Sequence, residues 1–165
     1  RPRGMCLEPQ FVENMKLLGE LGLSFDLCMR PGEIADGAQL AEKCPRTRFI
    51  IDHCGNMPIH GADAKLRQTW QQAMKAAAGL ENVVCKISGI VVTAKENDWQ
   101  PGELAENVDY CLDTFGETRV FFGGDWPVCT LRASLSQWVS ALKSIVRARS
   151  PEFQRKLFHD NAVRF

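Results

Sequence analysis

The stretch RVFFGGD, Arg119 to Asp125, decides how the rest of the chain is read. Its Val120-Phe121-Phe122 run is short, β-branched and aromatic, the character of a buried strand. Two glycines follow, and glycine lets a backbone turn sharply or pass close to a neighbour. A carboxylate then stands at the mouth of the apolar run. Parallel α/β sheets open onto their sites at the carboxyl ends of the strands, so the pattern predicts a strand that delivers Asp125 to a functional rim.

Working outward, three more runs of the same kind appear: LSFDLCM (23–29), RFIIDH (48–53) and NVVCKIS (82–88). Amphipathic segments of helical period separate them. PQFVENMKLLGELG opens on Pro9 and sets Phe11, Met15, Leu18 and Leu21 on one face. DGAQLAEKC offers Asp36 as an N-cap, and DAKLRQTWQQAMKAAAGL offers Asp63 as a cap, with Leu66, Trp70 and Met74 inward and Gly79 as the stop. GELAENVDYCLDTFG turns Leu104, Val108, Cys111, Leu112 and Phe115 inward. A long periodic segment, LRASLSQWVSALKSIVRA, follows, and Pro151 opens a last short helix. Strand and helix alternating four times predict right-handed parallel βαβ units, and the continuous apolar strands predict cover on both faces.

Composition bounds the function. The chain has 165 residues, 45% apolar and 24% charged, with 20 basic and 20 acidic side chains, which suits one globular domain over 1–165. A formal net charge of zero without a basic run argues against nucleic-acid binding. No apolar run reaches the roughly 20 residues that span a bilayer, and no secretory leader is visible. Seven cysteines with no C-x-x-C pair, most inside apolar runs, read as buried free thiols in a reducing cytosol, so a cytoplasmic location is expected.

Each strand run ends in something polar: Arg30, His53, Lys86 to Ser88, and Asp125. In a parallel sheet these endings converge on one rim. Histidine serves as base, electrophile or metal ligand, and aspartate as base or ligand. Taken singly, His53 reads equally as a hydrogen-bonded structural residue and Asp125 as a turn former before Trp-Pro. Their equivalent places, with glycines beside both in DHCGN and FGGDWP, favour a functional pair. Arg30 and Lys86 are candidates to hold a carboxylate or hydroxyls, or are rim charges in ion pairs. Trp126 is a candidate pocket floor or a packing residue. Asp26 and Asp52 read as structural, Asp52 because alternation from His53 turns it toward the helix layer.

The motifs FIIDHCGNMPI, VVCKISGI and VFFGGDWPVC, in this order, resemble those of the amidohydrolase-related lactonases, hydrolases of sugar lactones and pyrone dicarboxylates on a (β/α)8 barrel. LGELGLSFDLCMRPGEI and LFHDNAVRF extend the likeness along nearly the whole chain. The resemblance implies that the four strands are the fifth to eighth of the barrel, so the fold is its carboxyl-terminal half. A full barrel takes about 250 residues, and the His-x-His pair of its first strand has no counterpart here. It also implies Asp125 as the base that activates water, His53 as the group that polarises the carbonyl or helps hold an ion, and a small lactone as substrate. Metal-dependent relatives place a histidine at the end of the fifth strand, where this chain has Cys28, Met29 and Arg30. The implied cofactor is therefore none, or a single divalent ion. Two other readings stand beside lactone hydrolysis: a metal-dependent hydrolase or decarboxylase, and a non-catalytic half-barrel serving as an interaction module. In any of them, open sheet edges predict self-association of two halves, or instability of one alone.

Overall fold

A computed structural model describes residues 2–96 and 98–165. Its centre is a four-stranded sheet in the order β1-β2-β3-β4, every pair parallel. The strands are β1 Ser24–Leu27, β2 Arg48–Ile51, β3 Val83–Ile87 and β4 Val120–Phe122. Each sits inside the run expected for it and is shorter at the carboxyl end. The polar residues there have left the ladder to form turns. Sequential order with parallel pairing is the topology of consecutive barrel strands, and four strands leave one edge of β1 and one of β4 without a partner.

The helices are α1 Pro9–Glu20, α2 Ile34–Lys43, α3 Ala64–Ala78, α4 Pro101–Phe115, α5 Leu135–Ile145, α6 Pro151–Arg155 and α7 Asn161–Arg164. Asp63 caps α3 by accepting from Leu66 N at 2.7 Å. Asp36 is not a cap: α2 starts two residues earlier at Ile34, after a turn opened by Pro31, and Asp36 lies in its first turn. On α1, Met15 is buried and Phe11 and Leu18 pack on the core, but Leu21 points to solvent beyond the helix end.

One core lies between sheet and helices. Phe49, Ile51, Val83, Cys85, Ile87 and Val120 face it, against Trp70, Met74, Leu104, Leu112 and Trp138. The opposite, inner face carries Asp26, Ile50, Lys86 and Phe121, the alternate residues of the same strands. This corrects the sequence reading of Asp52, which shares a face with Ile50 while Ile51 belongs to the helix side, because His53 leaves extended geometry (φ 53°) and cannot set the parity of the strand before it. The inner face is also drier than an open half-barrel suggests. Ile50 is 7% and Phe121 8% exposed, the latter under the ring of Phe165 at 5.7 Å.

The amino ends of the strands are tied by side chains that feed backbone carbonyls. Asn82 Nδ2 reaches the carbonyls of Ala41, Cys44 and Thr47, all within 3.1 Å. Arg119 donates to Ala78 and Leu80, and Asn161 to Glu117 and Val120. Buried carbonyls that lack partners are costly, so these hubs hold the lower end of the sheet together.

Candidate functional site

At the upper end, β2 stops at Ile51 and the chain turns through His53, Cys54 and Asn56, all in the left-handed region with φ of 53°, 53° and 54°. Histidine and asparagine are among the residues that tolerate this conformation. The Trp70 indole holds the turn by donating to Cys54 O at 3.0 Å. Beyond β4, Gly123 carries on the pairing through its N–H to Ile87 O, and a side chain there would meet Ser88 Cβ at 2.9 Å and the Lys86 stem at 3.1 Å. The glycine after the apolar run is thus set by close approach of β3. Asp125 follows with φ 50°, its carbonyl accepting from Cys129 N at 2.8 Å.

Gly89, after β3, shows how near the two candidates come. A Cβ on Gly89 would lie 2.5 Å from His53 Nδ1 and 3.0 Å from Asp125 Oδ2. Imidazole and carboxylate therefore flank one point above a residue that has no side chain to fill it. The φ of Gly89 is +62°, a second reason for glycine there. His53 Nδ1 shares a hydrogen bond with the buried Ser88 hydroxyl at 2.9 Å. Nε2 is then the ring nitrogen left for other work.

Lys86 bridges two carboxylates across the inner face. Its Nζ lies 3.1 Å from Asp26 Oδ2 and 2.7 Å from Asp52 Oδ1. Partial burial disfavours its charge, but short-range and Coulomb attraction of Asp52, then Asp26, outweigh this and raise the lysine above its ordinary value. The contact to Asp52 is close but poorly aligned. Asp52 Oδ1 is buried and, among the described residues, receives no well-formed hydrogen bond.

Arg30 is held by Glu33, Nε donating at 2.9 Å. Trp126 is 69% exposed and is not among the described residues packed on the core. Thus His53, Asp125 and Lys86 gather at the rim, while Arg30 and Trp126 lie farther out on exposed turns. Sequence reasoning gave Ser88 and Cys28 no role of their own and read Asp52 as structural. Cys28, Asp52 and His53 each offer a ligand atom within 4.8 Å of the others, the metal-capable group among the described residues, and it does not include Asp125. Sulfur, carboxylate and imidazole suit a zinc-class ion, so the residues fit one. A groove of about 370 Å³ runs beside β1 and touches this region at Cys28 and Arg30 without enclosing His53 or Asp125. All seven cysteines are free, five of them buried, as expected. No helix among the described residues is long and apolar enough to cross a membrane.

Comparison with known proteins gives this arrangement a context. The family model described as Amidohydrolase matches residues 6–165. An L-fucono-1,5-lactonase of Burkholderia multivorans is 34% identical over 116 residues, which is 65% of this chain and 38% of that protein. The L-fucono-1,5-lactonase of Burkholderia ambifaria is 30% identical over 87% of this chain and 49% of its own length. The chain therefore spans half or less of these two curated relatives. A crystal structure of a Burkholderia multivorans amidohydrolase with bound zinc superposes with a TM-score of 0.90 at 26% identity, covering 98% of this chain and 58% of that one.

Proposed function

The chain belongs to the amidohydrolase family, and from that premise we propose that it is the carboxyl-terminal half of a barrel hydrolase that opens a cyclic ester, a sugar lactone or a carboxylated analogue. The observation that carries the reading is the approach of His53 and Asp125 to each other over Gly89, both within 3.0 Å of where its missing Cβ would lie. The lactonases among its relatives support the same substrate class.

In this reading Asp125 accepts a proton from water as the oxygen attacks the lactone carbonyl. Negative charge grows on the carbonyl oxygen, and His53, aligned by Ser88, donates to it. The tetrahedral intermediate collapses by breaking the ring C–O bond. Asp125 returns its proton to the departing alkoxide, leaving a hydroxy acid and a carboxylate ready for the next turnover. In this reading Lys86 at the rim, with Arg30 and Trp126 farther out on their exposed turns, would bind ring hydroxyls or a carboxylate.

The three-donor group supports a second reading, in which a divalent ion held by Cys28, Asp52 and His53 takes part. Bound there, it would polarise the carbonyl as a Lewis acid. The test is hydrolysis of L-fucono-1,5-lactone, followed by acid release, with this chain and with one extended upstream. Turnover by the extended chain that is lost in Asp125→Asn supports the reading. No turnover of any aldonolactone by either overturns it.

A further inference from the structure

We infer that Lys86 and a divalent cation compete for one carboxylate: Cys28, Asp52 and His53 form a cradle for a single zinc-class ion, and the Lys86 ammonium stands on the charge of Asp52 that the ion would take. The inference concerns binding alone and holds whichever bond the enzyme cleaves.

Four observations carry it. The donors lie within 4.8 Å of one another, whereas ligands about 2.0–2.3 Å from zinc sit closer together, so the side chains must draw in by about an ångström. The donor set excludes magnesium and calcium, which take oxygen ligands, and three protein donors leave a fourth position open. The bonds that would hold the ligands in place exist already: Ser88 fixes the His53 ring through Nδ1, and Asn56 Nδ2 points at Cys28 Sγ from 3.9 Å, a donor for a thiolate.

The fourth observation concerns Asp52. Its side chain is nine-tenths buried, and among the described residues Oδ1 is met by the Lys86 ammonium at 2.7 Å without a well-formed hydrogen bond. Lys86 has a properly formed bond elsewhere, to Asp26 Oδ2 at 3.1 Å. When an ion binds, Lys86 keeps Asp26 and gives up Asp52, and the ion inherits the buried carboxylate.

The test is titration of the purified chain with Co²⁺, reading the thiolate-to-cobalt charge-transfer absorption, followed by displacement with Zn²⁺. The wild type should show the band, and Cys28→Ser should lose it. Asp52→Asn should bind at least tenfold more weakly. Lys86→Met should bind at least tenfold more tightly. Thermal melts of each variant accompany the titrations. If Lys86→Met is unstable from its stranded carboxylate, Zn²⁺ should restore its melting temperature, and Lys86→Gln provides a milder comparison. Absence of the band in both wild type and the lysine variants overturns the inference. So does equal affinity with and without Lys86, or a band that survives Cys28→Ser and so comes from another thiol.

Discussion

His53 Nδ1 stands 2.9 Å from Ser88 Oγ, a bond that joins the turn after β2 to the end of β3. Ser88 is 1% exposed, so water cannot replace the hydroxyl there. The bond decides which face of the imidazole serves the site, and it makes Ser88 a positioning residue, acting through His53.

Ser88→Ala should leave the fold intact and free the ring. In the extended enzyme the rate of lactone opening is expected to fall by about 10- to 100-fold, the usual cost of losing such a support. Nitrogen NMR of His53 in the 165-residue chain should show the ring tautomer ratio shifting. An unchanged ratio would make the serine a packing residue.

Asp125→Asn keeps shape and removes basicity. A positioned general base contributes about 10²–10⁴-fold, so kcat should drop by that range while the melting temperature stays within a few degrees. Undiminished turnover would reduce Asp125 to a turn residue.

Gly89→Ala adds a methyl where 2.5 Å separates it from His53 and 3.0 Å from Asp125, on a backbone with φ +62°. The left-handed conformation alone costs an alanine about 1–2 kcal/mol. A melting temperature lowered by about 2–4 °C per kcal/mol is expected, together with loss of activity larger than that of Ser88→Ala. Calorimetry and the lactone assay check the two halves of this expectation.

Alkaline pH should unfold the protein early. Burial, followed by contacts with the thiols of Cys54 and Cys85, raises Cys111 well above its ordinary value of 9.0. The unfolded chain gives up that proton near pH 9 while the folded chain retains it. Stability is whole below that pH and falls as pH climbs toward the folded value. The raised Lys86 acts with the same sign. Urea melts from pH 7 upward should show the decline, and Cys111→Ala should flatten its slope.

The open edges of β1 and β4 should make the chain associate. Leu17, Leu21 and Leu23 are exposed beside β1, and Trp126, Leu131 and Leu135 in the segment after β4. Exposed apolar area is worth roughly 25 cal/mol per Å² when covered. Sedimentation at several concentrations should reveal self-association, weakened by Leu21→Lys together with Leu131→Lys. A monomer at every concentration would refute it.

Much of this architecture could be read from the chain. β-branched runs spaced by amphipathic segments made the four parallel strand–helix units legible, while their sequential order followed from the resemblance to consecutive barrel strands. The inward residues of α4 were legible for the same reason: all five expected are buried. Strand ends were less so. Asp52 was placed on the wrong face because parity was counted from His53, which the left-handed turn takes out of register. Counting from Ile50 would have found it. Cys28 and Ser88 carry no local signal, since what matters is their distance from a residue on another strand. His53 and Asp125 were legible as a pair, because two polar endings on apolar strands of one parallel sheet have nowhere to go but the same rim.

The ties made by Asn82, Arg119 and Asn161 sit at the amino ends of the strands, and the reactive groups sit at the carboxyl ends. What keeps the sheet assembled is thus spatially separate from the candidate site. Turns such as 53–57, 88–93 and 123–130 can be rewritten by selection without unpicking the lower hubs, so new substrates are reachable by short mutational steps. The converse is a constraint on drift: a change at Asn82 is felt by three carbonyls at once and spoils every catalyst built on the scaffold alike.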